Sequence, residues 1–540
     1  MDRYRDTQDI RPDTPSKECL ARAAGLKVAV VGGGLGGLMA ARTLARWGVK
    51  VTVYEARAQV GGRVLSDSTF AKGRITEAGA ELIGSIHTRW CALAKEYGIS
   101  LISRMDGDLY RGQQLQQRMI LDRLLTREEI ADIEKQKVDR VLRPMAEFAR
   151  QNIGSGKESE PWKQPGLATL DRTSVADALE KRFGVSRTER LWPAMEFFLV
   201  NNNVSRLEHM SLLALLCLVR GGQTERRAGR PVTIAPDSLM GYWTELEIYR
   251  CGDGCQRLAQ AIAGEVQARK GCRVIRTMGV RRIDLRPQGG GVLVTARSTK
   301  NLRFDEWLRE KIPANPLMDT RRYDCVVFAV PPPVWGDVEI TPFHPKDVIG
   351  LMGSGAAVKS FSNVKERFWV KDGVAPLGGS LEIGQVWEGT DNQTRSRGQD
   401  IVLSVFTGSR TPSVDAYKRG LARLYPADPQ NRDSGYLRNL RRSMLVDWSR
   451  QPFIRTGYSS PRVGQVFTIG KELNEPFQGR LFFAGEHTQM DHFGYMEGAI
   501  RSGERAARLL VDQVCQPLKK PPEPVVTATT GVPGGTARAG

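Results

Sequence analysis

The stretch "LKVAVVGGGLGGLMAARTLARWGVKVTVYEA", Leu26–Ala56, decides the fold. An apolar, β-branched run turns on glycines, continues at helical spacing through "LGGLMAARTLARWG", and closes on a second β-branched run. Strand, tight turn, helix, strand is the order of a parallel β-α-β unit. Gly32, Gly34 and Gly37 hold the G-x-G-x-x-G spacing. The first permits the turn, the second lets backbone approach a pyrophosphate, and the third lets the helix pack on the strand. Leu35 and Gly36 open the helix, whose free N–H groups and partial positive charge suit phosphate. Glu55 ends the second strand. A carboxylate there accepts ribose hydroxyls and repels a 2′-phosphate, which disfavours NADP. Ala56 and Arg57 continue the same wall.

The sequence then repeats a close-approach element. In "ARAQVGGRV", Gly61 and Gly62 bring backbone near a ligand again, and Arg63 can neutralise a pyrophosphate. A nicotinamide dinucleotide needs no such second element, whereas a ligand extending past the pyrophosphate does, so FAD is the expected cofactor. A dinucleotide that long also explains "LFFAGEHTQMDHFGYMEGAIRSGERAARLL", Leu481–Leu510, near the other end of the chain. Gly485 allows close approach, Glu486 can accept from ribityl hydroxyls, and "GYMEGAI" opens a last helix. The positive end of that helix suits the flavin C2 carbonyl, which gathers negative charge on reduction.

Between these ends, strands read at "RVIRTM", "GVRRIDLR", "GVLVTAR" and "YDCVVFAVPP", and a helix at "CQRLAQAIAGEVQARKG". "TREEIADIEKQKVDRVLRPMAEFARQN" is amphipathic, and "SLLALLCLV" suits a buried helix. The expected class is α/β: a Rossmann-type FAD-binding domain assembled from discontinuous segments, with an inserted α+β substrate-binding domain that includes a helix-rich part. The expected division is a flexible N-terminus over 1–24, an FAD-binding domain from 25–92, 245–335 and 471–514, a substrate-binding domain from 93–244 and 336–470, and a disordered tail over 515–540.

Composition narrows the class. A chain of 540 residues exceeds one ordinary core. No apolar run reaches the length of a membrane span, and the N-terminus lacks the apolar core of a secretory signal, so a cytoplasmic protein is expected. The net charge of +19 is spread in pairs such as Arg281–Arg282 and Arg441–Arg442, without a dense basic arm. A solvated basic surface is therefore expected rather than a nucleic-acid site. The eight cysteines show no metal-ligand spacing and are expected to be reduced, structural thiols, with no metal site.

The set "VVGGGLGGLMAA…VTVYEA", "QVGGRV", "EAGAELIG", "FAGEHT" and "GYMEGAIRSGERAA" resembles the flavin-containing amine oxidase superfamily. Within it, "GAELIGSIHTRWCALAKEYGI", "GYWTELEIYRCGDGCQRLAQAIA" and "AVKSFSNVKERFW" are similar to bacterial L-amino acid oxidases. The resemblance spans about residues 25 to 512. It implies FAD contacts at Gly32, Gly34, Leu35, Gly36, Gly37, Glu55, Ala56, Arg57, Gly62, Arg63, Gly79, Ala80, Glu81, Val280, Gly485, Glu486, Tyr495 and Met496. It also implies a tyrosine-walled substrate slot at Tyr458 and Tyr495, the expected catalytic pair, with Trp448 packed behind and Glu81 beside it. A homodimer is common among such proteins.

The activity implied is oxidative deamination of an L-amino acid by hydride transfer to flavin, with O2 as acceptor, giving a 2-oxo acid, ammonia and hydrogen peroxide. The alternatives are an amine or polyamine oxidase, in which Glu81 or acids of the inserted domain could meet a second ammonium, and an amino-acid 2-monooxygenase forming an amide. A flavin-holding scaffold without turnover is the non-enzymatic alternative. Two positions depart from the family pattern. Where many members place a lysine near the flavin, this chain has Asp337 or Val338, leaving Lys359 as the candidate replacement. Where animal L-amino acid oxidases place a carboxylate-binding arginine, it has Glu81-Leu82, leaving Arg250 as the candidate clamp. His87, His487 and His492 are expected to be satisfied structural residues.

Overall fold

The computed structural model describes residues 14–515 apart from 104–113, 155, 228–229, 234–238, 288–289, 301–317, 344–351, 394–399 and 431–433. The expected disordered tail, beyond residue 515, lies outside the described residues.

The quoted stretch folds in the order its periodicity indicates. After helix α1 (Lys17–Ala23) come β1 (Lys27–Val31), α2 (Leu35–Arg46) and β2 (Lys50–Tyr54). Distant segments complete the sheet: α3 (Gln256–Ala268) leads into β3 (Arg273–Ile275), followed by β4 (Cys325–Phe328) and β5 (Leu481–Phe483). Their order is β3-β2-β1-β4-β5, all parallel, with Ala29 opposite both Thr52 and Val326 and Val327 opposite Phe482. This is a doubly wound sheet, and its ligand crevice lies outside the carboxyl ends of the strands where the order reverses. β1 and β4 meet there. Their apolar residues are fully buried, as expected of strands covered on both faces.

The closing helix α4 (Met496–Cys515) lies across α2. A Cβ on Gly503 would come within 2.8 Å of Ala40 N, and one on Gly36 within 3.0 Å of Gly485 N. Backbone therefore meets backbone, and glycine alone fits at either crossing point. Ser502 fixes the approach by accepting from Gly485 N at 2.8 Å.

A four-stranded sheet runs Met318–Tyr323, Val292–Ser298, Met278–Asp284, Glu339–Thr341. A six-stranded sheet runs Leu440–Asp447, Ala357–Val364, Ile401–Gly408, Gly384–Glu388, Val374–Ser380, Gln116–Ile120. The last pair joins residues from both sides of the dinucleotide-type segments into one sheet. Helical residues from Val141 to Val219 form one apolar cluster, while Ile130 and Ile133 pack with Met119 of the sheet. "SLLALLCLV" forms the wholly buried helix Leu212–Gly221. Among the described residues, no helix is long and apolar enough to cross a membrane.

Two expectations about the chain ends are corrected. Of the region 1–24, expected to be flexible, residues 1–13 lie outside the described residues, but Ser16 caps α1 by accepting from Cys19 N at 3.2 Å. Cys19 is disulfide-bonded to Cys515 at the end of α4, so the cysteines are not all reduced thiols. A separation of 496 residues carries no sequence signal for that pairing. The other six cysteines are free and buried.

Two outcomes are expected. Gly503→Ala should destabilise the protein by about 1–3 kcal/mol, overpacking outweighing the better helix former; an unchanged melting temperature would refute the tight crossing. Reducing the Cys19–Cys515 bond, or Cys19→Ser, should cost about 2–4 kcal/mol in thermal melts, and identical melts with and without reductant would show that the bond does not brace the fold.

Candidate active site

One open cavity begins at the carboxyl ends of β1 and β2 and reaches the six-stranded sheet. Val31, Glu55, Ala329 and Gly485 mark the sheet end, and Gln385, Phe406 and Tyr458 the other. Of the residues expected to contact cofactor or substrate, Gly37 and the candidate clamp Arg250 are not part of its wall. Gly37 is instead pressed against Gly32, Ala329 and Val30 beneath the turn.

The sheet end fits a pyrophosphate. α2 starts at Gly34 with no capping side chain and no acid in its first turn, so its positive end is uncompensated. Gly34 and Gly62 face each other: a Cβ on Gly34 would meet nothing nearer than Gly62 Cα at 3.9 Å. Side chains on those two residues would fill the channel that bare backbone leaves open. Glu55 is buried beside it, its Oε2 accepting from Gly33 N and its Oε1 from Arg57 N, both at 2.7 Å. Burial pushes its carboxyl up, and those two N–H donors offset the rise in part. A carboxylate has about four acceptor sites, so two stay open for ribose hydroxyls. Val280, on the Met278–Asp284 strand, borders the same end. These features fit FAD.

Glu486 links the two ends. Its Oε1 accepts from Arg63 at 2.7 Å and from Ser459 Oγ at 3.0 Å, and its Oε2 accepts from Gly494 N at 2.6 Å. Burial would raise this carboxyl, but the Arg63 charge and the Gly494 bond hold it below the usual range. Ser459 follows Tyr458 and Gly494 precedes Tyr495, so one carboxylate brings both tyrosines to one place. The Tyr458 ring lies on Gly494, where a Cβ would come within 2.9 Å of Tyr458 Cδ2. It also stacks on Phe406 at 6.3 Å and 12°. Its hydroxyl donates to Asn201 O and Asn202 O, each at 3.2 Å. The Tyr495 hydroxyl is 3.1 Å from that of Tyr242, and its ring packs at 5.3 Å on His87. Burial, then the nearby Glu247 carboxylate for Tyr458 and the Tyr242 and Glu247 charges for Tyr495, push both phenols well above their ordinary value. Both stay neutral at working pH.

Several expected roles change. Lys359 does reach the cavity, but its ammonium donates to Glu77 O at 2.7 Å, Gly79 O at 3.1 Å and Glu81 Oε2 at 2.7 Å. Those three bonds use all its donors, so it braces the 77–81 loop and replaces no missing lysine. Glu81 is turned the same way: Trp387 Nε1 donates to its Oε1 at 2.9 Å and Arg250 lies 3.6 Å off. Burial opposes its ionisation, and Lys359 and Arg250 overcome this and lower the carboxyl. Its charge is spent inside the wall and is not presented to a second ammonium. Arg250, the candidate clamp, is outside the lining and buried, bonded to Glu388 O and Asp391 O at 3.0 Å and paired with Asp391. Trp448 donates to Ala78 O at 2.9 Å and lies 5.8 Å from the Arg57 guanidinium, so it packs on the cofactor side.

The three histidines are buried, and none belongs to the cavity wall. They are not fully satisfied. His87 Nδ1 accepts from Gly84 N and His492 Nδ1 lies 3.3 Å from Asp491 Oδ2, while Nε2 of His87 and of His492 and both nitrogens of His487 lack hydrogen-bond partners among the described residues. Burial lowers His87 to about 3 and His487 to about 4, so both stay neutral. The cavity wall also holds residues that the sequence reading missed: Asn201, Asn202, Glu247, Gln385 and Phe406. The polar triplet closing the apolar run "FFLVNNN" was the available signal for the first two.

A crevice of this form at a doubly wound sheet, joined to an aromatic chamber, defines an FAD-dependent oxidoreductase. The family described as flavin containing amine oxidoreductase matches residues 35–511, and the chain belongs to it; its cofactor is FAD. Among curated proteins, it is 25% identical over 527 residues to "Amine oxidase [flavin-containing] A" of Bos taurus, covering 89% of this chain and 84% of that protein. It is 27% identical over 498 residues to "Putative flavin-containing monoamine oxidase AofH" of Mycobacterium tuberculosis, covering 89% and 95%. Among solved structures, a putrescine oxidase triple mutant superposes with TM-score 0.70 at 20% identity, covering 91% of this chain and 99% of that one. Cyclohexylamine oxidase from Brevibacterium oxydans gives 0.66 at 19% identity, covering 91% and 100%. These two establish likeness of fold.

Removing the Glu486 carboxylate should uncouple the two ends. Glu486→Leu is expected to cost about 3 kcal/mol near neutral pH, because Arg63 is left without its partner. Glu486 titrates lower folded than unfolded. Its contribution is therefore present above the unfolded carboxyl value of about 4.3 and fades as pH falls through the lower folded value. Thermal melts from neutral to acid pH should show the variant and parent converging in acid. A constant gap, or equal flavin retention by the two proteins, would contradict this role.

Proposed function

We propose that this protein oxidises a small primary or secondary amine to an imine that hydrolyses to a carbonyl compound, with O2 as electron acceptor. Each turnover would consume amine, O2 and water and yield a carbonyl compound, ammonia or a smaller amine, and hydrogen peroxide. FAD, when bound, supplies the two-electron acceptor for hydride leaving the carbon next to nitrogen. Holding it falls to the Gly32–Gly36 turn and the start of α2 for the pyrophosphate, Glu55 for the ribose, and Arg63, Gly79, Ala80, Glu486 and Met496 along the rest of its length.

The substrate falls to Tyr458 and Tyr495. Their neutral rings border one chamber and are fixed by Glu486 through their neighbours, so an amine between them is oriented without a charged group contacting it. The amine must be neutral to release hydride, and free alkylamines are mostly protonated at neutral pH, like lysine at about 10.4. Rates should therefore climb as pH rises through the neutral range.

One observation favours an amine over an L-amino acid. Each cationic residue of the described wall is bonded to protein: Arg57 to Gly62 O, Arg63 to Glu486 and Gly457 O, and Lys359 to Glu81 and two carbonyls. A substrate carboxylate would need such a cation to offset its desolvation. The amine oxidase names of the curated relatives point the same way.

Peroxide release from yellow holoprotein on parallel panels of amines and L-amino acids tests the proposal. Amines should turn over, with aldehyde or ketone as product. Turnover of amino acids alone, giving 2-oxo acid or amide, would overturn it. Tyr458→Leu and Tyr495→Leu should each lower kcat/KM by about 100-fold with flavin retained.

A further inference from the structure

One corner of the chamber carries two amides. Asn202, Gln385, Phe406 and Tyr458 of the wall are each half-buried, while both chain neighbours of each are buried. The surface they expose therefore opens onto the cavity. Gln385 lies in the strand Gly384–Glu388, paired with Gly379 on one side and Phe406 on the other. Lys359 is also paired with Phe406, so Lys359, Phe406 and Gln385 form one row across three strands, all in the cavity wall. Adjacent strands lie about 4.8 Å apart, which makes the row a ruler. Lys359 braces the 77–81 loop at one end, Tyr458 stacks on Phe406 in the middle, and Gln385 stands one strand further on.

Asn202 belongs to the last turn of the helix Leu191–Asn203. Tyr458 donates to its carbonyl at 3.2 Å, and Gly408 N donates to Asn201 Oδ1 at 3.1 Å, which docks the helix end on the sheet. Both amides thus stand on fixed backbone. Gln385 Nε2 donates to Asn202 Oδ1 at 3.4 Å, and Asn202 Nδ2 and Gln385 Oε1 have no partner among the described residues. The pair therefore keeps a donor and an acceptor open toward the chamber. Turning both amides over preserves the bond between them and again leaves one of each. A ligand that strips water from such groups must bond them or lose affinity. An alkyl chain bonds neither. A hydroxyl answers both from a single oxygen.

We propose that Asn202 and Gln385 form a subsite for a hydroxyl group of the substrate, so that the preferred substrates are hydroxylated amines. This rests on the amine reading above. The reacting nitrogen lies between the tyrosines and the hydroxyl oxygen at the amide pair, beyond Phe406 in the row. Held at both points, the chain between them presents one carbon for oxidation.

The test is kinetic. Linear ω-amino alcohols with propane to hexane backbones are compared with the alkylamines of equal length. Flavin-saturated wild type, Gln385→Leu, Gln385→Asn and Asn202→Leu are used, with melting temperature and bound flavin as controls. Wild type should favour the best alcohol over its alkylamine in kcat/KM by about 10- to 100-fold, the worth of satisfying the two polar groups. Each leucine variant should bring that ratio close to parity, and Gln385→Asn should keep part of it. A packing defect alone would slow both substrates alike and leave the ratio as it was. An alcohol no better than its alkylamine in wild type, a ratio unchanged in either leucine variant, or a diamine outrunning the alcohol of equal length would overturn the subsite while leaving the amine reading standing. Flavin-loaded protein that releases no peroxide from any amine would overturn the amine reading and the subsite with it.

Discussion

Backbone contact between α2 and α4 is the constraint from which the rest follows. Gly503 meets Gly36 and Ala40, and Gly36 meets Gly485, at separations that admit no Cβ. The contact lets α4 start beside α2. Both helix starts, Leu35 and Met496, consequently border one cavity although they lie far apart in the sequence. A side chain at the crossing would separate the helices by more than a carbon's width and carry Met496, Glu486 and Tyr495 away with α4. Packing interiors transmit such displacements because they hold few voids to absorb them.

Glu486 turns that crossing into a chamber. It lies one residue past Gly485, so the glycine that permits close helix approach also aims the carboxylate. Its partners come from three separate segments: the second glycine turn through Arg63, the short strand through Ser459, and the last loop through Gly494. An isolated buried carboxylate would be costly, and a fully bonded one locks its partners together. The tyrosines owe their juxtaposition to bonds made by neighbouring residues, which is why each ring can stay uncharged and directed inward.

The dinucleotide half was legible in sequence because its requirements are local. Strand, glycine turn, helix start and Glu55 fall within one unit, and steric rules fix which residue serves at each place. Tyr458 and Tyr495 could be paired only through the resemblance, since nothing in "RTGYSSP" alone points at "GYMEGA". Failures cluster where chemistry depends on a partner from afar. Arg250 and Lys359 look like available cations in sequence, yet Asp391 and Glu81 consume them across 141 and 278 positions. Cys19 and Cys515 are invisible as a pair for the same reason. Trp448 likewise takes a distant partner, donating to Ala78 O.

The cavity is electrically graded. At the sheet end, the uncapped start of α2 and Arg63 present positive charge, which suits a cofactor carrying a pyrophosphate. At the chamber end, a helix terminates, with carbonyls and Glu247 in the wall. Between them, Lys359, Glu81, Arg250 and Asp391 form a buried network whose charges cancel within the protein. Hydrophobic residues of equal volume could often fill such a space with no loss of stability. The network's consequence for chemistry lies elsewhere: it spends the charges of Lys359 and Arg250 inside the protein.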